Sequence, residues 1–206
     1  GTTIGNKAFY GCKNIKSIIL PDTLTTIDQY AFYNCSSLES INIPDSVTTI
    51  GQHAFYGCSN ITSIKLPSTL TTIGDYAFYG CTGLTSIEIP ENVTTIGSAA
   101  FSGCSKLESI TLPFAGNTKD GTSYTWFGYI FGASNYSNNS TSVPASLTTV
   151  VITGGTTIAD YAFYKCSNIK SIILPDTLTT IGQSAFYNCT NLTSINIPEN
   201  VTTIGN

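Results

Sequence analysis

Cysteine recurs at positions 12, 35, 58, 81 and 104, then at 166 and 189, with a step of 23 residues inside each group. Phe9, Phe32, Phe55, Phe78, Phe101, Phe163 and Phe186 keep the same step, each three residues ahead of its cysteine. Pro21, Pro44, Pro67, Pro90, Pro113, Pro175 and Pro198 keep it too. One unit reads A-F-x-x-C-x-x-[LI]-x-x-I-x-[IL]-P-x-x-[LV]-T-T-I. A fixed period in the twenties with this apolar spacing is the signature of a stacked repeat. A single unit cannot bury its apolar side, whereas stacked units share one continuous core.

Within a unit, Leu38, Ile41 and Ile43 point inward, and the last two alternate as a strand requires. The proline that follows cannot donate to a ladder and marks the strand end. The Val or Leu three residues on, the Ile six on and the Ala-Phe pair carry the chain back across the opposite side. Eight strand segments are expected, beginning at Ile15, Leu38, Ile61, Leu84, Leu107, Leu147, Ile169 and Leu192. At about 4.8 Å per strand the stack would be roughly 35 to 40 Å long. Parallel crossovers of this kind are right-handed. The expected fold is thus a leucine-rich-repeat solenoid, a right-handed curved coil. A parallel β-sheet forms one face, and short turns, short strands or 3-10 segments form the other.

The unit resembles the BspA-like leucine-rich repeat, through "AFYNCSSLESINIPDSVTTIG" at 31–51 and its copies. The resemblance covers essentially the whole chain. It implies a cell-surface or secreted protein of host-associated bacteria or protists that adheres to host or neighbouring-cell proteins, including extracellular matrix proteins. A second reading is a structural spacer that holds another domain away from the cell surface.

Residues 1–206 are read as one solenoid domain, with regular repeats at 1–113 and 147–206 and an irregular insert at 114–146. Leu107 and Leu147 lie 40 residues apart instead of 23, so one repeat carries 17 extra residues. Pro144 takes its cysteine slot, and the Ala-Phe pair is missing. The apolar run "WFGYIF" at 126–131 has the bulk to replace that lost core, so Trp126, Phe127 and Ile130 are expected to be buried. The identical stretch "NIKSIILPDTLTTI" at 14–27 and 168–181 adds a longer offset of 154 residues. The chain is therefore expected to be a fragment of a longer array. Uncapped ends would expose strand edges and core, favouring end-to-end self-association.

Composition narrows the function. Net charge is −4, charged residues make up 10% of the chain, and arginine is absent. A nucleic-acid binder needs a basic stripe and favours arginine as its base reader, so nucleic acid is an unsuitable partner. No apolar run reaches the ~18 residues of a membrane span, so no membrane insertion of this segment is expected.

No C-x-x-C pair supports a zinc site, and no cofactor is expected. The cysteines are read as a column of buried free thiols. His53, the only histidine, lies near Cys58, but its equivalents are Tyr30, Tyr76, Ala99, Tyr161 and Ser184, so no catalytic residue is nominated. Candidate contacts come instead from outward positions that vary between repeats. They are Lys16, Glu39, Glu108 and Lys170 in one column, and Asn42, Lys65, Glu88 and Asn196 in another. Between them runs a nearly constant serine column. Tyr124, Tyr129 and Tyr136 of the insert complete the set, because tyrosine offers a large apolar body and a polar tip.

Overall fold

The computed structural model describes residues 1–206. Two parallel ladders run along the stack, and every paired strand in them is parallel. The first, here the isoleucine ladder, uses the Ser-Ile residues ahead of each proline. It comprises Ser17–Ile18 with Ser40–Ile41, and then Ser86–Glu88, Ser109–Leu112, Thr149–Ile152 and Ser171–Ile173. The second, the threonine ladder, uses the Thr-Thr-Ile residues after the proline. It joins Thr2–Ile4, Leu24–Ile27, Thr49–Ile50, Thr72–Ile73 and Thr95–Ile96, and separately Thr157–Ile158, Thr180–Ile181 and Thr203–Ile204.

The register carries the sequence period directly. Thr26 faces Thr49, Thr49 faces Thr72, and Thr72 faces Thr95. Thr149 faces Ser109, so the extra residues of the long repeat leave the ladder in phase. Each strand is short because proline ends it and the chain must turn around a narrow core.

Between the two ladders lies one apolar cluster of 51 buried residues. The phenylalanines form its spine. Successive rings from Phe9 to Phe101 stack nearly parallel, with centroids 5.2 to 5.4 Å apart. The cysteines run beside them as free thiols. Each Sγ–H of Cys35, Cys58, Cys81 and Cys104 donates to the carbonyl of the phenylalanine one repeat earlier, at 3.2 to 3.3 Å. The thiol satisfies a buried carbonyl that alanine would leave with one partner fewer.

The return turn contains no helix in the regular repeats. Its amides alternate: Tyr56 N–H donates inside its own turn to His53, while Phe55 and Gly57 donate to Ala77 and Tyr79 of the next repeat. This zigzag needs left-handed backbone twice per turn. One position holds Tyr30, His53, Tyr76 and Tyr161; the other holds Gly57, Gly80 and Gly103, or Asn34, Lys165 and Asn188.

Helical turns occur only in the long repeat, as 3-10 segments Phe127–Phe131 and Tyr136–Asn138 and the single α-turn Asn139–Ser142. Phe101 N–H donates to Ile130 and Phe127 N–H donates to Ala162, so this segment replaces the missing Ala-Phe turn. Leu147 N–H donates to Pro144, as Leu38 N–H does to Cys35. Phe127 and Ile130 are fully buried, as expected. Trp126 is only half-buried, which corrects the expectation for it. Its indole N–H donates 2.9 Å to the Ala133 carbonyl at the lip of the insert, where one edge of the ring meets solvent.

The insert also closes one ladder. Thr118 pairs antiparallel with Thr95, Asn117 accepts from Ile96 N–H, and Lys119 N–H donates to Thr94. The threonine ladder stops there and resumes at Thr157–Ile158, while the isoleucine ladder passes through uninterrupted.

Candidate functional site

The outward residues of the isoleucine ladder face away from the core, because their neighbours on either side point into it, although Thr111, Thr149 and Val151 are half-buried. Lys16, Glu39, Asn42, Lys65, Glu88, Glu108, Lys170 and Asn196 are exposed. Lys16 Nζ and Glu39 Oε1 lie 3.7 Å apart, a pair too open to water to hold the fold. Ile19 is almost wholly exposed, at 98%, and Ile173 is exposed at 54%. They lie in different repeats, and single apolar groups of this kind are ordinary on a protein surface.

Asn42, Lys65 and Glu88 are brought together around an opening in the ladder at the third repeat. A cavity of about 590 Å³ there is lined by Asp45, Ser63, Lys65, Ser86, Glu88 and Pro90, among others. A second of about 160 Å³ adjoins it, with Asp22, Asn42, Asp45 and Lys65 in its wall. Asp45 belongs to both, and reading the outward columns alone misses it, since it follows the proline.

The tyrosines of the insert are on a different side of each turn. Tyr124 and Tyr129 lie 5.1 Å apart, with Trp126 edge-on to both. Tyr136 is not part of that cluster; it stacks on Tyr161 at 4.3 Å. Tyr124 and Tyr136 are exposed and Tyr129 is half-buried. Burial raises the Tyr129 phenol, and the Asp75 carboxylate adds to the effect.

These rings extend a double aromatic column. Tyr10, Tyr33, Tyr56 and Tyr79 stack at 4.6 to 4.7 Å. Beside them Tyr30, His53 and Tyr76 stack at 4.6 and 4.9 Å. Tyr33, Tyr56 and His53 carry a ring on each face, so face-on stacking of a ligand is closed to them.

No catalytic pair forms at His53 and Cys58. The Cys58 thiol is committed to the Phe32 carbonyl, and burial raises it far above its ordinary value. The imidazole is clamped between two tyrosines, with its Nδ1 buried and unpartnered, and burial lowers its pKa. A thiol held protonated is a poor nucleophile.

Asn139 is the residue that sequence reading missed most completely. It is the one buried polar side chain in the chain. Its Oδ1 accepts from Gly128 N–H at 2.8 Å, and its Nδ2 donates to the Ala162 and Tyr164 carbonyls at 3.2 and 3.1 Å. Its role is to close the insert onto the next repeat.

Two parallel ladders, a phenylalanine spine and a period of 23 define a leucine-rich-repeat solenoid. The family described as BspA type Leucine rich repeat region matches residues 2–125 and 136–206 in six copies, and the chain belongs to it. No curated protein matches this chain. Among solved structures, a leucine-rich repeat protein from Bacteroides ovatus is 28% identical, with a TM-score of 0.50, over 98% of this chain and 78% of that one. A leucine rich cell surface protein from Faecalibacterium prausnitzii is 31% identical, with a TM-score of 0.57, over 97% of this chain and 52% of the other. A leucine rich repeat protein of T. pallidum is 28% identical, with a TM-score of 0.51, over 92% of this chain and 73% of its own length.

Proposed function

We propose that the chain is a non-catalytic protein-binding section of a cell-surface or secreted adhesin, and that it meets host or neighbouring-cell proteins through the outward face of the isoleucine ladder. One observation carries the reading. On that face a serine column, broken once by Thr149, is flanked by positions that change from lysine to glutamate, asparagine and isoleucine between turns. Variation there leaves the core untouched, which is how solenoids acquire partners. The similarity to a protein described as a leucine rich cell surface protein supports the location.

The test is binding of the folded chain to a panel of extracellular matrix proteins, beside a variant with Lys16, Glu39, Glu108 and Lys170 replaced by serine. The expected result is binding to at least one member that weakens about tenfold or more in the variant, or roughly 1.4 kcal/mol. A well-folded chain that binds no member of the panel favours the alternative reading, a spacer array. Equal binding by the variant would move the contact to another face.

A further inference from the structure

We propose that the break in the tyrosine column between Tyr79 and Tyr164 is a binding notch for a neutral sugar ring, a contact separate from the outward face of the isoleucine ladder.

In the regular turns this column admits nothing between its rings, because each tyrosine lies on the next at 4.6 to 4.7 Å. One period after Tyr79 the sequence places Ser102. The next place falls to Gly132, which follows Phe131 as each tyrosine follows its phenylalanine. A Cβ on Gly132 would lie 3.6 Å from the Ser102 Oγ, so the insert crosses this turn with bare backbone. The column resumes at Tyr164, which stacks on Tyr187 at 4.9 Å. Two successive places therefore hold no ring. Tyr79 is stacked on Tyr56 alone, and its other flat face has no aromatic partner. Tyr76 stands beside it at 6.0 Å, stacked only on His53 and exposed. At the far end exposed Tyr136 meets the Tyr164 ring edge-on at 5.3 Å.

The floor of the notch is polar main chain. Gly57 and Gly80 N–H donate to the carbonyls of Tyr79 and Ser102 in the next turn, but their counterpart, Gly103 N–H, donates to no carbonyl. The Gly132 carbonyl, over the same turn, accepts no backbone bond. Gly103 and Gly132 are both exposed, and the Ser102 hydroxyl adjoins them. A sugar ring matches this arrangement. Its C–H face lies flat on an aromatic ring, and its hydroxyls both donate and accept at the rim. A protein aromatic side chain would cover the tyrosine faces and leave the Gly103 N–H and the Gly132 carbonyl unmet. Asp75, next to Tyr76 and accepting from Ser98 N–H at 2.8 Å, puts a negative charge beside the rings, which disfavours acidic sugars.

Trp126, the only tryptophan, donates to the Ala133 carbonyl next to Gly132, so its emission reports on the notch. The probes are short oligomers of glucose, of N-acetylglucosamine and of glucuronic acid. They are added to the whole chain and followed by Trp126 emission and by saturation transfer to the sugar protons. At least one neutral oligomer should bind and shift the emission, and the acidic one should bind about tenfold or more weakly. Ser102→Tyr continues the column across the first ringless place, so it should abolish sugar binding while holding or raising the melting temperature. Tyr136→Ser, at the far wall, should weaken binding about tenfold. Tyr187→Ser, which removes an exposed ring of the regular column, should leave binding unchanged. Saturation transfer to no neutral oligomer, wild-type binding by Ser102→Tyr, or an equal loss in Tyr187→Ser would overturn the notch. Binding of the acidic oligomer alone overturns the neutral-sugar assignment. Loss of matrix-protein binding in Ser102→Tyr, with no sugar response, would give the notch to a protein side chain and overturn the sugar.

Discussion

The side-chain amide of Asn139 donates to the carbonyl of Tyr164 at 3.1 Å, taking the place that a backbone N–H holds in the regular turns. Gly57 N–H meets Tyr79 in this way, and Lys165 N–H meets Tyr187. The long repeat cannot bring its own backbone to that carbonyl, so a side chain reaches across. Asn139→Ala would leave the Gly128 N–H and the Tyr164 carbonyl without partners in a dry site. A loss of about 2–4 kcal/mol is expected in urea unfolding. Thr141→Ala, nearby but exposed, should change stability by less than about 0.5 kcal/mol.

The thiol column sets an alkaline limit on stability. Burial pushes Cys35 and Cys189 up to about 11 and Cys104 to about 12, from an ordinary value of 9.0. Above pH 9 the unfolded chain loses these protons while the folded chain keeps them, so the unfolded state is favoured. The thiol contribution is fully present below pH 9 and is lost as pH rises toward 11 to 12. Each fully buried thiol, such as that of Cys104, should cost about 1.4 kcal/mol per pH unit in that window. Urea midpoints at pH 8, 9.5 and 10.5 check the slope. A thiol reagent should label all seven cysteines only after unfolding, with half-buried Cys12 and Cys189 first to react in the folded chain.

His53 sets a smaller acid limit. Its pKa is lowered by burial between the Tyr30 and Tyr76 rings, against the opposing pull of Asp75. Its stabilising effect is therefore present above the ordinary value near 6.5 and is lost as pH falls through the lowered one. NMR titration should place the His53 midpoint below 6.5. His53→Tyr, which continues the ring column, should remove that acid dependence and leave stability at pH 7 unchanged or higher.

Gly74, after its Thr-Thr-Ile strand, serves close stacking and not turn geometry. A Cβ on Gly74 would lie 2.6 Å from the Gln52 nitrogen of the preceding turn, whereas a Cβ on Gly5 would meet nothing within 4 Å. Gly74→Ala should cost about 1–3 kcal/mol by forcing turns apart, and Gly5→Ala should be neutral or slightly stabilising. Paired thermal melts separate the two.

Much of this architecture is legible in the spacing of a few residue types. The period of Phe, Cys and Pro announces the stack, and Thr149 facing Ser109 shows that a count of 17 inserted residues was sufficient to recover the register. The hidden parts share a physical cause. Ile64 and Leu66 alternate like every other strand, so nothing in the pattern reveals that their amides are unpaired. Asn139 sits in the polar run "SNYSNNSTS", where composition reads as loop and burial of one amide is invisible. The bulk of Trp126 points to the core, but its N–H needs an acceptor, and the one it meets is the Ala133 carbonyl at the rim.

The two ladders are never interrupted in the same turn: residues 62–66 retain the threonine ladder, and the long repeat retains the isoleucine ladder. Under tension along the stack, the ladder bonds lie nearly parallel to the pull and open like a zip, one turn after another, instead of shearing together. The turns that hold by a single ladder would yield first. Even so, each keeps one unbroken ladder across it, beside the return-turn bonds to its neighbours. A chain built this way would lengthen under load in small steps, absorbing a sudden pull without parting into two pieces.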